Sequence, residues 1–186
     1  MEQISDSNSC IKRTPNRLSD YVWNDIHDSK KYECYLAYYL QSLRTKKKQI
    51  RWIVIVISIV FIVIDKWFGN AAYFGLTILA VFELFKEIIP GISVDENLID
   101  RLPEYRMLYV QKCQKLQSLY YKLDENIIIL EDAELEYFEI KNTIGLRIEE
   151  LDNALHIPEK KRLFDKADKN TTINLNNMYQ FDEQKT

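Results

Sequence analysis

WIVIVISIVFIVI (52–64), DKWFGN (65–70) and AAYFGLTILAVFELFKEII (71–89) together decide the reading of this chain. Two apolar runs flank a short polar turn, the pattern of a helical hairpin that crosses a lipid bilayer. A helix rises about 1.5 Å per residue and the hydrocarbon core is about 30 Å thick, so a span needs roughly 20 residues. The run from Trp52 to Ile64 covers only about 20 Å of helix. Extended from Ile50 to Phe68 it covers about 28 Å and takes in Asp65, Lys66 and Trp67. Those charges can snorkel to the headgroups, where Trp67 also sits comfortably. The second run is apolar from Ala71 to Phe82, then carries Glu83, Lys86 and Glu87 before Pro90. Charges are costly at the bilayer centre and tolerable near its edge.

Two readings compete with the membrane hairpin. One is a buried hairpin in a soluble helical protein; the other is a core strand, which a run of β-branched residues also allows. Residues 53–64 have no apolar–polar alternation, and only Ser58 among them is polar. A chain of 186 residues also has little protein with which to surround two apolar helices. The membrane reading is therefore preferred.

Charge sets the orientation. Arg44, Lys46, Lys47, Lys48 and Arg51 precede the first run, while Lys66 at the turn is offset by Asp65. Positive residues stay on the cytoplasmic side, so both termini are predicted to be cytoplasmic. The lysine cluster also attracts anionic lipid. In an antiparallel hairpin Glu83 comes level with about Ile53, which predicts a Glu83–Arg51 pair beside Trp52 at that interface.

Further out, residues 1–16 are polar and predicted disordered. Residues 17–49 form an amphipathic helix with Leu18, Val22, Ile26, Leu36, Leu40 and Leu43 at helical spacing, and a break near Asp28–Ser29 is allowed for. No Gly or Pro lies between Ser29 and Ile64, so this helix runs on into the hairpin at 50–89. Ser93 and Glu96 match a capping box, opening a short helix to about Arg101. Pro103 fits the first turn of a new helix reaching about Leu155, bent or divided near Asp124–Asn126. Residues 93–157 are thus a long-helix region, and 158–186 a short helix ending near Ala167 with a flexible Asn- and Thr-rich tail. The expected fold is all-α: a two-helix transmembrane hairpin above a cytosolic bundle of long amphipathic helices. Any apolar stripe left over packs between subunits.

Chemistry is sparse. The net charge of −3 argues against a nucleic acid polymer as partner. MEQISDSNSC has no apolar stretch of the kind a secretory signal needs. Cys10, Cys34 and Cys113 form no metal or redox motif and read as free thiols. His27 and His156 stand apart from any ligand or nucleophile pattern, there is no Gly-rich phosphate loop, and the acidic runs read as a solvated helix face. No catalytic residue, metal or cofactor is expected. The aromatic residues before the hairpin (Tyr21, Trp23, Tyr32, Tyr35, Tyr38 and Tyr39) read as packing rather than a ligand site. In the hairpin, Ala71-x-x-x-Gly75 permits close helix approach, and Glu83, with Lys86 and Glu87, is a candidate for a charged pore mouth in an oligomer or for an interfacial salt bridge.

An amphipathic helix, a basic step at Lys46–Lys48 after Tyr38–Tyr39–Leu40, a hairpin with a minimal turn, and a long helix returning from Pro103 make up residues 17–157. This layout resembles the SLATT family, the two-transmembrane effector domains of bacterial nucleotide-second-messenger systems. The resemblance implies an effector of the bacterial inner membrane that assembles as a homo-oligomer and permeabilises the bilayer in antiphage defence. It also implies activation by a cyclic nucleotide or a sensor protein. The alternative is a non-conducting membrane scaffold or sensor that recruits a partner through its helices; a membrane-bound enzyme is the weakest reading.

Overall fold

The computed structural model describes residues 17–68, Gly75, Ala80 and 96–183. These residues form four helices: α1 (Arg17–Phe68), α2 (Glu96–Asp124), α3 (Leu130–Leu155) and α4 (Lys161–Glu183), with no strand among the described residues. Gly75 and Ala80 are helical as well. The protein is therefore all-α. The predicted disorder of residues 1–16, the remainder of the second apolar run and Ser93 lie outside the described residues.

α1 is a single helix of 52 residues, about 78 Å long at 1.5 Å per residue. It continues through Asp28–Ser29, where a break was allowed for, because no Gly or Pro interrupts it anywhere. The β-branched run at 53–64 is helical too. The helix penalty of Val and Ile is only tenths of a kcal/mol each, roughly, and is overridden by the continuous ladder. Ser58 hides its hydroxyl within that run by donating to the Val54 carbonyl at 2.8 Å.

α1 packs against α2 and α4, and α2 packs against α3. Leu18, Val22 and Ile26 meet Cys113, Leu116 and Leu119 of α2, Tyr137, Ile140 and Ile144 of α3, and Leu175 of α4 in one buried cluster. Further along α1, Tyr35, Leu36, Tyr39, Leu40 and Leu43 meet Leu102, Tyr105 and Tyr109 of α2 and Ala167 of α4 in a second. Each set recurs at three- and four-residue intervals, so each helix turns one stripe inward. Fully burying one such leucine contributes about 1.5–3 kcal/mol, and these stripes hold the bundle together.

Two boundaries differ from the sequence reading, and a third takes one of the two forms expected of it. Glu96–Asp124 is one helix with Pro103 inside it, not a short helix followed by a new start at Pro103. Burial of Leu102 and Tyr105 on either side of the proline outweighs the hydrogen bond it cannot donate. The long helix expected to Leu155, bent or divided near Asp124–Asn126, is divided at 125–129. Asn126 takes φ 55°, the Ile127 N–H donates to Lys122 O at 2.8 Å, and the Asn126 N–H donates to Leu123 O at 3.2 Å. These two bonds around a left-handed residue are a Schellman termination, which asparagine tolerates better than most residues. Finally, α4 runs to Glu183 instead of stopping near Ala167. Phe164, Ala167, Thr171 and Leu175 put one face of it against α1, and that burial offsets the poor helix propensity of its Asn and Thr residues.

Candidate functional site

The candidates named for membrane contact that fall on described residues lie in the second half of α1. Trp52, Ile55, Val56, Ile59, Val60 and Val63 fall on one face and are 40–57 % exposed, while Val54, Ile57 and Ser58 on the opposite face are half-buried. Gly75, from the small-residue spacing, is helical and buried. A soluble monomer rarely shows so large a contiguous apolar surface. Among the described residues no helix is long and apolar enough to cross a membrane. Arg51 on one side and Asp65 and Lys66 on the other close off the apolar run of α1. Asp65, Lys66 and Trp67 lie in its last turns. Ala71, Glu83, Lys86 and Glu87 are outside the described residues, and with them the expected Glu83–Arg51 pair.

Below the apolar run, Arg44, Lys46, Lys47, Lys48 and Arg51 are all exposed. The Lys47 ammonium meets the Glu96 carboxylate at 2.5 Å. That hydrogen bond and the lysine charge hold the Glu96 carboxyl below the usual range. Glu96 thus links the start of α2 to α1 at the surface; Ser93, its expected capping partner, lies outside the described residues. Between the same two helices lies a cleft of about 310 Å³ whose polar lining is Gln41, Arg44, Thr45, Lys48 and Arg106. Arg106 comes from α2 and is steadied by Glu33, which accepts from it at 3.2 Å and from Lys30 at 2.7 Å. Glu33 is nearly buried, so two cations meet one shielded carboxylate. Burial pulls the Lys30 ammonium down, yet the hydrogen bond and charge of Glu33 raise it above its ordinary value. The sequence reading missed Glu33 and Arg106. The i, i+3 spacing of Lys30 and Glu33 was visible, but nothing in the sequence places α2 beside them.

The remaining candidates are structural. His27 Nε2 lies 3.5 Å from the Thr172 hydroxyl, joining α1 to α4. His156 terminates α3 at φ 43°, its N–H donating to Asp152 O at 3.0 Å. Cys34 and Cys113 are free. Burial pushes the Cys113 thiol up to about 11, the opposite of an activated nucleophile. Among the described residues no group of three or more His, Cys, Asp or Glu side chains is placed to hold a metal ion.

Comparison with known proteins returns no match: no family model, no curated protein and no solved structure is similar to this chain.

Proposed function

We propose that this chain is a membrane effector that oligomerises and permeabilises the bilayer when triggered, as its resemblance in layout to the SLATT family suggests. The observation that carries the reading is the exposed face of Trp52, Ile55, Val56, Ile59, Val60 and Val63 on a helix continuous with the bundle. Lipid accommodates such a face where water does not. With Ile50 to Phe68 in the hydrocarbon, about 28 Å is spanned, and Arg51, Asp65 and Lys66 snorkel at the two rims. The second run, 71–89, completes a two-helix hairpin with both termini on the cytoplasmic side of a bacterial inner membrane.

In this arrangement the collar of Arg44, Lys46, Lys47 and Lys48 sits at the headgroups and attracts anionic lipid, at about 1 kcal/mol per charge. One hairpin encloses nothing, so a pore requires several copies. Leu135, Phe138 and Leu146 are exposed on the side of α3 opposite its buried stripe and offer apolar surface for contact between copies. Glu83 then lines the pore mouth. The rigid α1 carries any rearrangement of the bundle, driven by a cyclic nucleotide or a sensor protein, directly to the membrane.

Expression in bacteria loaded with a membrane-potential dye, with and without cyclic nucleotides supplied, tests this reading. Depolarisation is expected on induction with the trigger, with Glu83→Ala altering its extent or ion preference. Cells that keep their potential while the protein accumulates in the membrane fraction would overturn the pore and favour the non-conducting scaffold.

A further inference from the structure

Midway along α1 the aromatic cluster encloses a second cleft, of about 220 Å³, away from the basic one. Tyr32, Tyr35, Tyr105 and Tyr109 line it, with Asp152 and Glu159 exposed at its mouth. Tyr35, Tyr105 and Tyr109 are buried, and the rings of Tyr32 and Tyr109 stack at 5.3 Å. The hydroxyls are already engaged. Tyr35 donates to Pro158 O at 2.7 Å and accepts from the Lys160 N–H at 3.1 Å. Tyr105 donates to Asp152 at 3.2 Å and lies 3.4 Å from the Tyr109 hydroxyl. Two carboxylates and the exposed ring of Tyr32 are therefore what the cleft offers a ligand.

Among the described residues neither Asp152 nor Glu159 forms a salt bridge, so the mouth carries two carboxylates without an ion-pair partner. Three neighbouring rings outside the cleft's lining hold ammonium groups of the chain. Lys31 Nζ lies 5.0 Å from the Phe164 ring centre, Lys160 Nζ 4.8 Å from that of Tyr39, and Lys166 Nζ 4.4 Å from that of Tyr38. None of these lysines lines the cleft. Aromatic rings beside carboxylates favour cations, above all weakly hydrated quaternary ammonium ions. The same charges repel phosphates. The volume falls below the range of about 300–1,000 Å³ typical of drug-sized sites, so it suits a small headgroup. Tyr35 precedes Trp52 by about 25 Å of helix, which separates the cleft from the lipid headgroups and points to a soluble ligand.

We propose that this cleft binds a small, soluble organic ammonium ion, its charge met by Asp152, Glu159 and the ring of Tyr32. That the ligand is soluble rests on the membrane reading; binding at the cleft itself does not. Choline titrated calorimetrically into the detergent-solubilised full chain tests it, against the neutral analogue in which carbon replaces the choline nitrogen. Saturable binding of choline, about one per chain, is expected, with no binding of the neutral analogue. Asp152→Asn combined with Glu159→Gln should weaken choline at least tenfold while far-ultraviolet circular dichroism stays unchanged. Absence of choline binding, equal binding of the two analogues, or undiminished affinity in a folded double variant would each overturn the proposal. If the double variant does not fold, the comparison of the two analogues on the unaltered chain decides.

Discussion

Thr171 is fully buried on α4, and its hydroxyl has no hydrogen-bond partner among the described residues; Ser29 on α1 is in the same position. A desolvated hydroxyl left unmade costs about 1–3 kcal/mol. Thr171→Val keeps the shape and β-branching and removes that cost. We expect the substitution to raise stability by about 1 kcal/mol, or roughly 2–4 °C in melting temperature for a chain of this size. A lower melting temperature in a thermal scan would mean that the hydroxyl has a partner after all. Glu33 is the contrasting case, nearly buried yet fully served by Lys30 and Arg106. Neither residue was legible in the sequence. Thr171 stands in a stretch whose Asn and Thr content reads as a flexible tail, and Glu33 stands among exposed-looking charges. Burial is a property of neighbours, and those that the sequence does not place, Arg106 for Glu33 and α1 for Thr171, come from distant segments.

At the scale of elements, α1 was the most legible, because an unbroken run without Gly or Pro leaves the chain little alternative to a continuous helix. α2 was less so. Pro103 reads as a helix start, but the structure puts it seven residues inside one. There it cannot donate to Ile99 O, and its ring crowds that carbonyl. Pro103→Ala restores the missing bond and is expected to stabilise the protein by up to about 3 kcal/mol. Chemical denaturation followed by helical signal checks this; an unchanged midpoint would mean that the helix accommodates proline at that point without cost. The division between α2 and α3 was legible as a place, since Asp124–Asn126 marked it. Its form was not, because the Schellman hydrogen bonds depend on Asn126 adopting a positive φ.

At the scale of the molecule, buried tyrosines tie the helices together. Burial pushes the hydroxyls of Tyr35 and Tyr39 of α1, Tyr105 and Tyr109 of α2 and Tyr137 of α3 above their ordinary value. Tyr137 also donates to Asp25 at 2.8 Å, and that carboxylate opposes its ionisation. Below about pH 10 both folded and unfolded chains keep these protons, so the tyrosine contribution is fully present. Above it the unfolded chain loses them first, and stability falls as pH rises through the raised folded values. The helical signal is therefore expected to collapse cooperatively between roughly pH 10 and 12. Tyrosinate absorbance of the buried set should appear together with that collapse. Complete ionisation of all the tyrosines with helicity intact would contradict the buried aromatic core. Hydropathy, charge spacing and the scarcity of helix breakers determined, without any structure, that this chain is all-α, that residues 52–64 are its apolar extreme and that a basic collar precedes them. Those are local properties, written in residue type and period. Only the tertiary structure decided that α4 is a full helix, that Arg106 joins Arg44 and Lys48 around one cleft, and that four tyrosines and two carboxylates from distant segments enclose another. The physical reason is that a helical period fixes which face turns inward but not which helix meets it, and both clefts are made where different helices meet.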